Sequence, residues 1–313
     1  MSKVCFGIDL GGTSVKIGMF SDAGDLLEKW EIPTNKENQQ ETVPREMAEA
    51  VLKKLCERGI AKEDCIGVGV GVPGPVTPDG TVIKCANIEW DIFNVQKVLE
   101  GYLGMKVRVS NDANVAALGE YWKGGGRGFG VTVLITLGTG IGGGVVINGK
   151  LYTGNNGGAG EIGHMCVNMD ETVICGCGAT GHLEQYSSAT GICRLAREEL
   201  DNNPSEESVL RGLTEFTTKE IFEAVKNGDA LAARVVDKSC RYLAMACTSI
   251  AACFDPDAFI IGGGVSRAGS ILTDTVAKYY KEWSMLALKE VRFVLAELGN
   301  DAGIYGSAEL VLG

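Results

Sequence analysis

The amino-acid sequence predicts an α/β protein built from two related halves, and three observations carry that prediction. Short apolar runs of strand character alternate along the chain with longer runs of helical period. A strand, a glycine–threonine turn and a second strand occur twice, at Ile8-Asp9-Leu10-Gly11-Gly12-Thr13 and at Ile135-Thr136-Leu137-Gly138-Thr139-Gly140. Glycine supplies 44 of 313 residues, about twice its usual share. It follows no collagen period, so it serves many tight loops.

The elements follow in order. Val4–Asp9 and Val15–Phe20 read as strands about the first glycine turn, and Leu26–Pro33 as a third after Asp22-Ala23-Gly24-Asp25. Val43–Arg58 carries Met47, Val51, Leu52 and Leu55 at helical spacing. Ile66–Val72 is a buried strand that stops at Pro73-Gly74-Pro75. Val95–Tyr102 reads as a helix, Val107–Val109 as a strand, and Ala113–Trp122 as a helix with Asn or Asp at its mouth. Gly124–Gly130 is the first boundary candidate. Thr190–Leu200, Thr218–Lys226 and Ala230–Phe254 read as helices, the last rich enough in small residues to suit full burial. Ala258–Gly262 is a strand before Gly263-Gly264, and a final helix starts near Tyr305. The expected domains are 1–115 with the terminal helix 300–313, and 116–299.

Composition narrows the function. Lys plus Arg number 29 against 40 Asp plus Glu, a formal charge of -11. Such a surface repels nucleic-acid backbones and anionic lipid, so neither is expected as a partner. The longest uncharged stretch, Gly128–Gly149, holds eight glycines and is too broken for a membrane helix. Eleven cysteines, an odd number, with no secretory leader ahead of them, indicate reduced thiols and a cytoplasmic location.

Glycine turns between strands let backbone N–H groups approach phosphate oxygens. Gly11, Gly12, Thr13, Gly138, Thr139 and Gly140 therefore form two candidate phosphate loops, and Gly262, Gly263 and Gly264 a third segment after a buried strand. Neither a Walker A lysine nor a Rossmann helix accompanies them. Asp9 beside such a site is repulsive unless a cation intervenes, which makes it a Mg²⁺ partner. Asp112, between a short strand and a helix and next to Asn111, is the candidate general base. Both histidines of the chain, His164 and His182, lie in one 19-residue window with Cys175 and Cys177. Two thiolates and two imidazoles make a closed tetrahedral zinc set, with Cys166 a spare thiol nearby.

The blocks Asp9-Leu10-Gly11-Gly12-Thr13, Ser110-Asn111-Asp112-Ala113-Asn114, Leu137–Gly144, Gly160-Glu161-Ile162-Gly163-His164 and Cys175–Glu184 resemble the ROK family of sugar kinases and sugar-responsive repressors. The resemblance spans essentially the whole chain and is greatest to bacterial glucokinases. It implies an actin-like, ribonuclease-H-like two-domain ATPase fold with a central cleft. It also implies ATP on the two glycine loops with Gly262–Gly264 near the adenosine, and sugar contacts from Asn111, Asp112, Glu161, His164 and Glu184. The family usually has cysteine where this chain has His182; zinc accepts either. A homodimer is expected.

The activity so implied is ATP-dependent phosphorylation of the 6-hydroxyl of glucose. N-acetylmannosamine, N-acetylglucosamine, mannose, allose and fructose are the alternative substrates. A repressor is disfavoured because no helix-turn-helix segment fits ahead of the first glycine loop. A non-catalytic sugar binder is disfavoured by the presence of both Asp9 and Asp112.

Overall fold

The computed structural model describes residues 3–83, 85, 88 and 90–313; Met1 and Ser2, on which the expectation of no secretory leader rests in part, lie outside them. The chain forms two compact units. The first comprises Met1–Gly128, Gly144–Gly160 and Glu297–Gly313, and the second Phe129–Gly143 and Glu161–Ala296. The first unit thus runs past residue 115, where the sequence reading ends its first domain, and takes in 144–160 as well.

The first unit opens with strands β1 (Val4–Leu10), β2 (Ser14–Ser21) and β3 (Leu26–Pro33), then helix α1 (Gln39–Arg58) and strand β4 (Cys65–Val72). A two-residue ladder, β5 (Thr81–Val82) with β6 (Phe93–Asn94), leads into helix α2 (Val95–Leu103), strand β7 (Val107–Asn111) and helix α3 (Asp112–Lys123). The sheet order is β3-β2-β1-β4-β7. The hairpins are antiparallel, and β1, β4 and β7 run parallel, as crossover connections through α1 and α2 allow. Every residue of β1 is buried except Asp9, which is half-buried. Phe6 and Ile8 pack with Met47 and Val51 of α1 and Leu99 of α2. Cys5, on the other face, packs with Phe20 and with Ile304 and Ala308 near the C-terminus. Helices therefore cover both faces, which is why β1 reads as a continuous apolar run.

The remaining elements are strands β8 (Val131–Leu137), β9 (Ile141–Ile147) and β10 (Lys150–Tyr152), helices α4 (Glu184–Ser187), α5 (Ala189–Asn202), α6 (Thr218–Lys226) and α7 (Ala230–Phe254), strand β11 (Ala258–Gly262), helix α8 (Ser270–Trp283), strand β12 (Arg292–Leu295) and helix α9 (Ala302–Leu312). Their sheet runs β10-β9-β8-β11-β12, with β8, β11 and β12 parallel. Two expectations need correction. Helix α7 is not buried all round: Leu243, Ala244 and Cys247 face the core, whereas Arg241, Met245, Ser249 and Ala252 are exposed. Helix α9 starts at Ala302 rather than near Tyr305; Ala302-Gly303 carry no apolar period from which the earlier start could be read. Helix α8 and strand β12 come in addition to the elements expected from the sequence.

Helix α9 lies closer to its neighbours than side chains allow. A Cβ at Gly69 of β4 would sit 1.6 Å from the Ser307 carbonyl oxygen, and one at Gly306 would sit 1.6 Å from that of Val115 in α3. Ser307 is fully buried, and its hydroxyl donates to the Ile8 carbonyl at 2.8 Å. No rotamer relieves a clash with backbone, so Gly69→Ala must displace α9. We expect it to lower stability by about 3 kcal/mol, the upper range for overpacking. Gly101→Ala in α2, where nothing lies within 4 Å, is expected to be neutral or to stabilise by about 0.5–1 kcal/mol. Urea unfolding of both variants checks the contrast.

Candidate active site and metal centre

Asp9 is the second-last residue of β1, opposite Lys16 of β2 and beside Gly71 of β4 in the sheet register. Helix α9 presents Gly303 to it, since a Cβ there would lie 2.5 Å from the Asp9 carboxyl carbon. In the turn after β1, the Gly11 N–H donates to Ser14 O at 3.0 Å. The turn carbonyls are held from one direction. Thr34 Oγ1 donates to Gly11 O at 2.7 Å, Thr34 N–H to Thr13 O at 3.0 Å, and Lys36 Nζ to Gly12 O. Sequence reasoning missed Thr34 and Lys36. They reach the turn only because β3 pairs back on β2, and nothing local to them signals it.

Asn111 ends β7 and caps α3. Its Oδ1 accepts the Asn114 N–H at 3.1 Å, and its Nδ2 donates to Gly74 O at 3.1 Å. The Pro73–Pro75 corner thereby fixes the residue beside Asp112. Asp112 is the first residue of α3, and its Oδ1 accepts the Ala113 N–H at 2.8 Å. Burial pushes the Asp9 carboxyl up to about 6; Lys16 opposes the rise, and Asp112 and Glu31 add to it. Two carboxylates that repel each other are an arrangement that a divalent cation relieves.

In the second unit, the Gly138 N–H donates to Gly140 O at 3.0 Å, and the Ala189 N–H donates to Gly138 O at 2.8 Å. Strand pairing of Gly262 with Thr136 brings Gly262–Gly264 to the same end of the sheet as this turn. A Cβ at Gly140 would lie 2.7 Å from Glu184 Oε2, so the glycine leaves room for that carboxylate. Glu161 is exposed, and its carbonyl accepts the His164 N–H at 3.1 Å.

The donor atoms of His164, Cys175, Cys177 and His182 all lie within 4.8 Å of one another. His164 Nδ1 is 3.4 Å from His182 Nδ1 and 3.9 Å from Cys175 Sγ, and Cys177 Sγ is 3.2 Å from His182 Nδ1. Donors about 2.0–2.3 Å from one tetrahedral zinc lie roughly 3.3–3.8 Å apart, and the separations of 3.2, 3.4 and 3.9 Å are close to that spacing. Burial, with help from Glu184 2.9 Å away, pushes the metal-free Cys175 thiol up to about 12. A dication beside the sulfur reverses that preference. The spare thiol of Cys166 is outside the four-donor set.

The profile of the ROK family matches residues 5–313. The chain belongs to the ROK family. It is 41% identical over 311 residues to a glucokinase of Halalkalibacterium halodurans, an alignment covering 97% of this chain and 94% of that one. Among solved structures it is similar to a Streptomyces griseus ROK glucokinase bound to glucose and AMPPNP, with TM-score 0.75, 33% identity and 98% of each chain covered. It is also similar to a Thermus thermophilus ROK hexokinase, with TM-score 0.81, 31% identity and 98% and 97% covered. The actin-like ATPase fold of the ROK sugar kinases is therefore the fold of this chain. Among the described residues, no helix is long and apolar enough to cross a membrane.

The Asp9 carboxyl should titrate near pH 6 in metal-free protein, followed by the carboxyl carbon resonance. Asp112→Asn removes a neighbouring negative charge and should move that titration down. The folded value is above the unfolded ~3.9, so this group's stabilisation is complete below ~3.9 and is lost as pH rises through 6. A midpoint that Asp112→Asn leaves in place would remove the coupling.

Proposed function

We propose that this ROK protein is an ATP-dependent hexokinase-type phosphotransferase that converts glucose to glucose 6-phosphate. The observation that carries the reading is the β7–α3 junction. There Asn111 is fixed by Gly74 and Asn114, and Asp112 heads the helix in the same unit as Asp9 and the Gly11–Thr13 turn. The likeness to glucokinases over nearly the whole chain supports the substrate.

A sugar hydroxyl is a weak nucleophile. Asp112 takes the proton of the 6-hydroxyl as its oxygen bonds to the γ-phosphorus, and the bond from that phosphorus to the ADP oxygen breaks. Asn111, Glu161, His164 and Glu184 hold the sugar hydroxyls. Amides and hydroxyls of Gly11, Gly12, Thr13, Gly138, Thr139 and Gly140 hold phosphate, and Gly262–Gly264 border the adenosine. Asp9 is the partner of Mg²⁺, which when bound neutralises charge on the β- and γ-phosphates. His164, Cys175, Cys177 and His182 would hold zinc, which when bound would fix the loop that carries His164. With Nδ1 of His164 turned to His182 and Cys175, its Nε2 is left for a sugar hydroxyl. A cytosolic homodimer belongs to the same reading.

A coupled assay with ATP and a hexose panel tests the activity. Glucose should be turned over fastest, and turnover of another hexose with negligible glucose activity would replace the substrate. Asp112→Asn should lower kcat at least ~10²-fold while glucose still binds; a near-normal kcat would remove Asp112 as the base. Metal analysis of protein purified without chelator should find one zinc per chain, and its absence would sink the metal site.

A further inference from the structure

The segment between His164 and Cys175 is fastened at a point the chemistry above does not use. Glu171 Oε2 accepts from Tyr186 Oη at 2.6 Å and from Arg194 Nη2 at 3.0 Å. Its Oε1 accepts the Thr172 and Val173 N–H groups, each at 3.0 Å. The Tyr186 ring stacks on Tyr242 of α7 with centroids 4.1 Å apart, and Asn168 Nδ2 donates to the Tyr186 hydroxyl at 2.9 Å. Gln185 works beside it. Its Nε2 donates to Val173 O at 2.8 Å, and its Oε1 accepts the His182 N–H at 2.9 Å. The bonds therefore reach Val173, two residues before Cys175, and the backbone of the ligand His182.

This is not a surface ion pair. The Glu171 side chain is only 10% exposed. Burial alone would raise its carboxyl. The Tyr186 hydroxyl, the Val173 N–H and Arg194 more than reverse that, to about 2. A charge-assisted, multiply bonded carboxylate of this kind is a rigid fixture.

We propose that Glu171 is a positioning residue for zinc: with Tyr186 and Arg194 it clasps the ligand loop to α4 and α5, so that the loop holds its ligand geometry before the metal arrives. The proposal rests on reading His164, Cys175, Cys177 and His182 as the zinc set. In small zinc modules the loop orders only as metal binds, and the ordering entropy is charged against metal affinity. Here that ordering is done by bonds that need no metal. Breaking the clasp returns the entropy cost to the binding step.

The test titrates metal-stripped protein with Zn²⁺ alone against a chromophoric chelator, at a temperature where every variant is folded. Glu171→Gln should lower zinc affinity ~10-fold, the scale of outer-shell losses. Tyr186→Phe keeps the ring stack and deletes one bond, and should lower it less. In metal-free protein, protease should cut between residues 168 and 180 faster in Glu171→Gln than in wild type. A loss of global stability alone would leave zinc affinity where it was. Unchanged affinity in both variants, or equal cleavage of the metal-free loops, overturns the clasp. Wild-type protein that takes up no zinc would instead overturn the zinc reading on which the clasp rests.

Discussion

The first unit depends on one constraint, the backbone-to-backbone approach of helix α9 to β1, β4 and α3. A glycine stands at each contact: Gly7 and Gly69 on the strands, Gly119 on α3 and Gly306 on α9 itself, while Gly303 of α9 faces the Asp9 side chain. Close approach removes water from the face of the sheet that carries Cys5 and Phe20 and brings many atoms into dispersion contact. It also sets the two carboxylates. Gly303 is the wall behind Asp9, and α3, which carries Asp112 at its first turn, is locked to α9 through Gly119 and Gly306. A single methyl group at Gly69 or Gly306 is therefore felt at the site as well as in the core.

Charge at that site is arranged against the apoprotein. Asp9 is the only residue of β1 that is not buried, and it still carries a raised carboxyl with Asp112 contributing. Lys16 across the ladder offsets part of the repulsion, but its Nζ is also used by the Asn300 carbonyl at 3.1 Å. A pair held in this state favours a ligand that places positive charge beside it. Asn111 contributes by being neutral. It caps the helix and fixes the corner at Gly74 without competing for a proton.

The His–Cys loop in the second unit is built on another principle. Its backbone closes through short bridges, Ile174 with Thr180 and Cys166 with His182, and the Gly178 N–H donates to Cys175 O at 2.8 Å. These bonds turn Cys175-Gly176-Cys177 so that both sulfurs face the two imidazoles. Glu184 stands between the loop and the glycine turn, 2.9 Å from Cys175 Sγ and against Gly140. One side chain thus borders both the candidate metal set and a candidate phosphate loop.

Most strands and helices, the glycine turns, the Asn111 cap and the four candidate zinc donors were legible in the sequence because each rests on local chemistry. Apolar period, a capping side chain, a turn glycine or a ligand spacing acts over a few residues, and the chain carries it wherever it folds. The start of α9, the exposed face of α7, and the elements α8 and β12 were not legible. Small residues, half-buried faces and short edge strands have no strong period, and their state is set by what packs against them. The same holds for Thr34 and Lys36 on the first turn, for Glu171 on Tyr186 and Arg194, and for the raised carboxyl of Asp9. Sequence by itself determined which residue types were available and which turns they formed. Only the tertiary structure decided which carboxylate is desolvated, which carbonyl is already taken and which glycine is a contact rather than a turn. Desolvation and backbone approach depend on distance in space, and residues 9 and 303 are neighbours there alone.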